Sequence, residues 1–274
     1  MYFSQPLMTM FVCSIQVFRS CGFLLLAGLS ALSLPSCQTA KTVVAATVVK
    51  PSAFLTHGTE LKEDRNRSPF LGNWWTPDAA LQTAAANTRR LYIAPVRFHE
   101  TRPMKNVLAR AEFSDERRAA KLLKLADYAH ERFTRAFKSA KHTDHEIVPE
   151  AAPDALRLEL QILEFEPNAI SGFLARETVD LFTLPAVGDL ISKPLRSVIT
   201  IEGRLIEPKS GKPVFEFADR EEAKSVILLP VQETYPTGQA RFAIREWAEQ
   251  FELLMRDDPG KRARDSLPVR LWAF

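Results

Sequence analysis

The chain has 274 residues, with 36 Lys and Arg against 33 Asp and Glu, and 46% of its residues are apolar. A net charge of +3 over that length argues against a nucleic-acid binder, which usually concentrates basic charge, and the apolar content is enough for one domain to bury a core unaided. The three cysteines, Cys13, Cys21 and Cys37, all precede residue 38, so the rest of the chain has no disulfide, no thiolate nucleophile and no cysteine metal site.

Near the start, Arg19 precedes the uncharged run Gly22 to Leu34 and then the small-residue exit Pro35-Ser36-Cys37, which is the order of a secretory signal peptide. As a helix that run rises only about 20 Å, short of the roughly 30 Å hydrocarbon core. Leu34-Pro35-Ser36-Cys37 resembles the lipobox of bacterial lipoproteins, in which the cysteine is acylated and becomes the new N-terminus. The resemblance implies that residues 1–36 are removed, whether translation starts at Met1, Met8 or Met10, and that Cys37 is lipidated. Gln38 stands where Asp would mark inner-membrane retention, so the expected location is the periplasmic face of the outer membrane. An ordinary signal peptide cut nearby and an uncleaved anchor are the alternatives. Several acyl chains on one residue would make attachment effectively permanent.

Residues 38–50, QTAKTVVAATVVK, read as a spacer that reaches up to about 40 Å when extended. From 51 to 87 the apolar pairs Phe54-Leu55, Phe70-Leu71 and Trp74-Trp75 sit among polar and proline positions without periodicity, as in an irregular segment fastened to a domain surface by its aromatics. The β-rich stretch 90–98 predicts a first strand, with Pro95 marking its end, an edge or a bulge. Ser114 followed by Asp115 and Glu116 predicts the N-terminus of a long helix to residue 141, with Leu122, Leu125, Ala126, Ala129, Phe133, Ala136 and Phe137 on one face. Residues 155–162 alternate strictly, which predicts a half-solvated strand with Leu156, Leu158, Leu160 and Ile162 inside and Arg157, Glu159 and Gln161 outside. The connection 168–194 is long, apolar and broken by proline and glycine, the kind of insertion that is usually functional.

Segments 196–207 and 212–224 predict a hairpin turning on Pro208-Lys209-Ser210-Gly211. Thr237 opens a second amphipathic helix to residue 256 that carries Ile244, Trp247 and Phe251. The tail 257–274 is basic and then apolar. The predicted fold class is therefore α/β in the α+β sense: one domain over 51–256, a two-layer sandwich in which two long helices cover a mixed, largely antiparallel sheet.

Four of these pieces resemble a family of uncharacterised bacterial lipoproteins built on a domain of unknown function: Pro51-Ser52-Ala53-Phe54-Leu55, the strand ending in Pro95-Val96, the turn Glu207 to Lys212 with Phe217-Ala218-Asp219, and Ala243 to Leu253 with Trp247-Ala248. The resemblance covers roughly residues 51–256 and brings no catalytic residues.

The chemistry in the sequence is sparse. His142 and His145 with Asp144 form the nearest approach to a metal set, in polar sequence at a helix end, and are read as a solvated turn; His57, His99 and His130 are isolated. There is no phosphate loop, nucleophile elbow or HExxH, and no cofactor is expected. Glu164 and Glu166, two apart on a strand, are read as a solvated edge, with a paired-carboxylate hydrolase as the enzymatic alternative. Charge is uneven: residues 89–141 hold 14 basic and 6 acidic side chains, and 144–189 hold 10 acidic and 2 basic. That asymmetry fits complementary solvated faces, or a basic face for anionic headgroups or an acidic partner.

The functional expectation is a non-enzymatic, lipid-anchored scaffold or accessory factor. Its partners would be the membrane, through Cys37, and an envelope protein, contacted through Phe173, Leu174, Phe182 and Leu184 of the long connection. A lipid-handling module with that connection as a lid is a further alternative.

Overall fold

The computed structural model describes residues 49–140, 144–167, 197–222, 225–226, 237–256 and 269–270. The chain divides into the units Met1–Ala46 and Thr47–Phe274, and every described residue belongs to the second. Among the described residues no helix is long and apolar enough to cross a membrane.

A short 3-10 turn, Gly58–Glu60, leads to β1 (Gly72–Trp75) and α1 (Ala79–Ala86), and β2 follows as Arg90–Ile93. Then come α2 (Val107–Glu112), α3 (Asp115–Ser139), β3 (Glu146–Val148) and the long strand β4 (Ala155–Glu166). The hairpin is β5 (Val198–Ile206) and β6 (Pro213–Glu222), and α4 is Gly238–Met255. Two two-residue strands, β7 (Ser225–Val226) and β8 (Val269–Arg270), pair in parallel with each other.

The main sheet has the order β1-β6-β5-β4-β2-β3. Pairing is antiparallel from β1 through β4 and parallel from β4 through β2 to β3. The two long helices bury their stripes on one face of this sheet, so the architecture is the expected two-layer α+β sandwich.

Local sequence explains the elements. Ser114 accepts the Arg117 amide at 3.4 Å, and Asp115 and Glu116 occupy the first turn of α3, where the helix dipole favours negative charge. Leu122, Leu125, Ala126, Ala129, Phe133 and Phe137 of α3 are all buried. On α4, Trp247 and Phe251 are its largest buried side chains; the Phe251 ring lies 5.7 to 6.4 Å from those of Phe133, Phe137, Phe215 and Phe217, which joins both helices to β6. Each such side chain contributes about 1.5–3 kcal/mol by burial. Trp247 Nε1 donates to Asp219 Oδ2 at 2.7 Å, so the one polar group on the largest core side chain has a charged acceptor.

The predicted strand over 90–98 is shorter in the structure. Pro95 has no N–H, and the ladder stops at Ile93, yet the chain stays beside β4: Ala94 N donates to Leu158 O and Arg97 N to Leu160 O, both at 2.9 Å. In β4 the register with β5 shifts between Ile162 and Glu164, leaving Leu163 as an extra residue. The bulge returns Phe165 to the helix side and keeps Glu164 and Glu166 on the other.

At the hairpin turn, Gly211 has φ +67, and Glu207 accepts the Lys209 amide at 3.1 Å and the Ser210 amide at 2.7 Å. Burial pushes the Glu207 carboxyl up, but Ser210 and the Lys209 and Ser210 amides outweigh it and hold the group below the usual carboxylate range. Replacing Glu207 by alanine leaves both amides without their acceptor and is expected to cost about 2 kcal/mol in urea unfolding at neutral pH. Because the folded value is lowered, that difference should shrink as pH falls through it.

Candidate functional site

The face of the sheet turned away from the helices is not wetted, which corrects the half-solvated reading of 155–162. Glu159 is 7% exposed, Gln161 1%, and Glu202 and Glu216 0%. Alternation in β4 correctly separates the two faces but says nothing of what lies over the second. Residues 49–57, which we call the strap, cover it, with Val49, Phe54 and Leu55 packed in one apolar cluster with Leu163 and Ala218.

Side chains on this face form rows across three strands. One row is Glu159, Arg204 and Glu216; the next is Gln161, Glu202 and Ala218; the third is Glu164, Thr200 and Arg220. The first two rows hold the strap by its backbone. Ser52 donates its amide to Glu202 Oε1 at 2.7 Å and its hydroxyl to Oε2 at 2.5 Å. Arg204 donates to the Phe54 carbonyl at 2.8 Å while its guanidinium sits 4.7 Å over the Phe54 ring and pairs with Glu159 at 2.7 Å. Thr56 and His57 donate their amides to Glu216 at 2.9 and 2.7 Å, and Arg102 donates to the Lys50 carbonyl. An irregular segment needs an outside acceptor for each buried amide, and buried carboxylates supply it with charge-assisted bonds.

Glu164 and Glu166 belong to the same design, which corrects their reading as a solvated edge: both are 4% exposed. Glu164 Oε1 takes the Lys105 ammonium at 3.0 Å, and Oε2 takes the Thr200 hydroxyl at 3.1 Å and Arg220 Nε at 3.3 Å. Glu166 accepts the backbone amides of Lys105 and Asn106, the latter at 3.2 Å. All four oxygens hold protein donors, and the two carboxylates anchor the 105–106 segment much as Glu202 and Glu216 anchor the strap.

The face carries opposed proton linkages. For Glu164, burial raises the carboxyl, but the Lys105 bond, the Arg220 and Lys105 charges and the Thr200 hydroxyl together hold it below 4.5. Its stabilisation is present above the unfolded value and is lost as pH falls through the folded one. For Glu202, burial outweighs the Ser52 bonds and the Arg102 charge, and Glu100 adds repulsion, so its carboxyl sits above 4.5. That contribution is full below 4.5 and is lost as pH rises through the raised value. Lowering the pH from neutral through the raised value should therefore increase the protection factors of the Ser52 and Phe54 amides, that is, their exchange corrected for its intrinsic pH dependence, and Glu202→Gln should remove that increase. Protection factors that fall over the same interval in the native chain would contradict the assignment.

The remaining predicted positions are dispersed. Burial, then the Arg89 charge, lowers the pKa of His145, whose ring meets Phe137 edge-on at 6.2 Å; Asp144 faces Arg89 at 3.7 Å. His57 stacks on Trp74 at 3.7 Å, His99 lies 4.5 Å from Phe98, and His130 Nε2 is 3.1 Å from the Ile93 carbonyl. Among the described residues no group of three His, Cys, Asp or Glu could hold a metal ion. Cys37, His142, and the connection with Phe173, Leu174, Phe182 and Leu184 lie outside the described residues. The sequence reading missed Ser52, Glu202, Glu216 and Lys105; the signal for Glu202 and Glu216 is in the sequence, as carboxylates set between Ile201 and Gly203 and between Phe215 and Phe217.

A family model described as "Protein of unknown function (DUF3313)" matches residues 50–251. No curated protein matches the chain. Two crystal structures of the PelC dodecamer from Paraburkholderia phytofirmans, one of a point variant, align with it at 10% and 9% identity. Each covers 68% of this chain, and 96% and 97% of the PelC chain, with TM-scores of 0.35 and 0.36. Agreement at that level is slight.

Proposed function

Because the chain belongs to the family described as protein of unknown function DUF3313, whose description assigns no activity, we propose from its own residues that it is a lipid-anchored binding domain of the bacterial envelope. Cys37 would carry the acyl chains, Gln38 would direct it to the outer membrane, and the domain would hold a protein partner on the periplasmic side without chemistry of its own.

The observation that carries this reading is the strap. It is the first described segment after Cys37, and it is bound to the middle of the sheet by Glu202, Arg204 and Glu216 rather than left to fray. A pull at the N-terminus would pass into the most buried strands. That construction suits a domain held by its N-terminus. The engagement of Glu164 and Glu166 by Lys105, Arg220, Thr200 and backbone amides supports the same side of the choice, since a hydrolytic pair needs an oxygen free for substrate or water.

The test is proximity crosslinking of the full chain in its own envelope, beside Cys37→Ser and a deletion of 169–192. The anchored protein should capture a partner, both variants should lose it, and the deletion should leave membrane attachment intact. Equal capture by Cys37→Ser would overturn the anchored role. Equal capture by the deletion would move the contact away from Phe173, Leu174, Phe182 and Leu184.

A further inference from the structure

We propose that the groove along the outer seam of α3 and α4 is a docking face for the phosphate headgroups of an anionic bilayer. The groove has a volume of about 770 Å³ and is partly open to solvent. Arg117, Lys121 and Lys124 line one wall at helical spacing, and Arg241 faces them from the first turn of α4. Among the described residues none of these four cations forms a salt bridge; Lys121 lies 5.3 Å over the Phe113 ring and Arg241 4.3 Å over Tyr128. The lining carboxylates are Asp127 and Glu131, and Glu131 is already taken by Arg135.

The contrast with the other end of the same seam is informative. There Arg132 is paired with Glu249 at 3.6 Å and Arg256 with Glu252 at 2.6 Å, so the charge is spent internally. Among the described residues, the seam's cations without an ion-pair partner are confined to its N-terminal half. Their occupant should be anionic, and its shape follows from the site: the cations are spread over about two helical turns, roughly 10 Å, on long side chains around an unenclosed trough. A compact anion would be met by one or two of them, whereas a sheet of phosphates meets all four, and rings at both ends suit the apolar-to-polar boundary of a bilayer.

The proposal rests on the anchored reading for its geometry. The strap lies on the opposite face of the sheet, but the residues from Cys37 to Val49 reach up to about 40 Å when extended. That exceeds the roughly 20 Å of the sheet and helix layers, so the tether permits the domain to turn this face to the membrane.

The chain has no cysteine after Cys37, so a fluorophore can be attached to the full protein through Ala120→Cys in the groove or, as a control, through Lys209→Cys in the β5–β6 turn. Each is mixed with neutral phosphatidylcholine vesicles or vesicles containing phosphatidylglycerol, and quenching by lipid-borne quencher is read at low and high salt. With four cations each favouring the surface about fivefold and Asp127 opposing, the orientation that brings the groove label to the surface should be favoured about a hundredfold more on anionic than on neutral vesicles. High salt, and the substitutions Arg117→Gln, Lys121→Gln and Lys124→Gln together, should remove that preference, with the thermal unfolding of the triple variant unchanged. Equal quenching of both labels, or a preference that survives the triple substitution, overturns the proposal. Failure of the anchor reads differently: no flotation with neutral vesicles at any salt, while the groove label still reports on anionic ones.

Discussion

Replacing Gly203 by alanine should cost the domain about 3 kcal/mol and lower its melting temperature by roughly 6–12 °C. Gly203 sits in the middle of β5 opposite Phe217 on β6 and Leu160 on β4. A Cβ there would lie 2.2 Å from Phe217 Cε1, 2.4 Å from Cζ and 2.9 Å from Leu160 Cδ2. Neither neighbour can retreat. Phe217 is 0% exposed, stacked on Phe70 at 4.2 Å and packed against Phe251 at 5.7 Å, and Leu160 is also fully buried. The absent side chain is thus what lets an aromatic ring lie across the strand. Trimming the ring should recover much of the loss: Gly203→Ala with Phe217→Leu should be more stable than the sum of the single changes predicts, by about 1 kcal/mol or more in a double-mutant cycle. Strict additivity would mean that the clash is relieved elsewhere.

Glu216→Ala should release the strap. Its carboxylate accepts the Thr56 and His57 amides at 2.9 and 2.7 Å from a position with no solvent exposure, and charge-assisted bonds of this kind are worth about 1.5–3 kcal/mol each. The expected loss is about 3–5 kcal/mol, felt first as local opening: faster hydrogen exchange at Thr56 and His57, and protease cleavage within 49–57 while α3 and α4 stay protected. Glu216→Gln keeps one acceptor oxygen and should recover about half. Uniform destabilisation without preferential opening of the strap would mean that Phe54 and Leu55, not the carboxylates, fix the segment.

The helices and the hairpin were legible because their signals are local. Ser114 with its acidic first turn, the apolar spacing from Leu122 to Phe137, and Gly211 in the turn each act within a few residues. The helix over 79–86 leaves no apolar stripe in the sequence because only Leu81 of it is buried, although Asp78 caps it with bonds to the Ala80 and Leu81 amides and its run of alanines favours helix. β1 is short, and its pairing with Phe215 to Ala218 joins positions far apart in sequence.

The polar face was half legible. Alternation separated Glu159 and Gln161 from Leu158 and Leu160, but solvent and strap make the same demand on a strand, namely polar residues at every second position. Only a partner about 150 residues away, Ser52 for Glu202 and Thr56 for Glu216, distinguishes them, and period and propensity carry no trace of it. The bulge at Leu163 was hidden for a similar reason, since the alternation simply ends at Ile162.

The measurement that bears most directly on the anchored role is intact mass spectrometry of the protein extracted from its own membrane fraction. The account predicts a polypeptide that begins at Cys37 and carries the mass of its acyl chains. A chain that begins elsewhere, or at an unmodified Cys37, would contradict it.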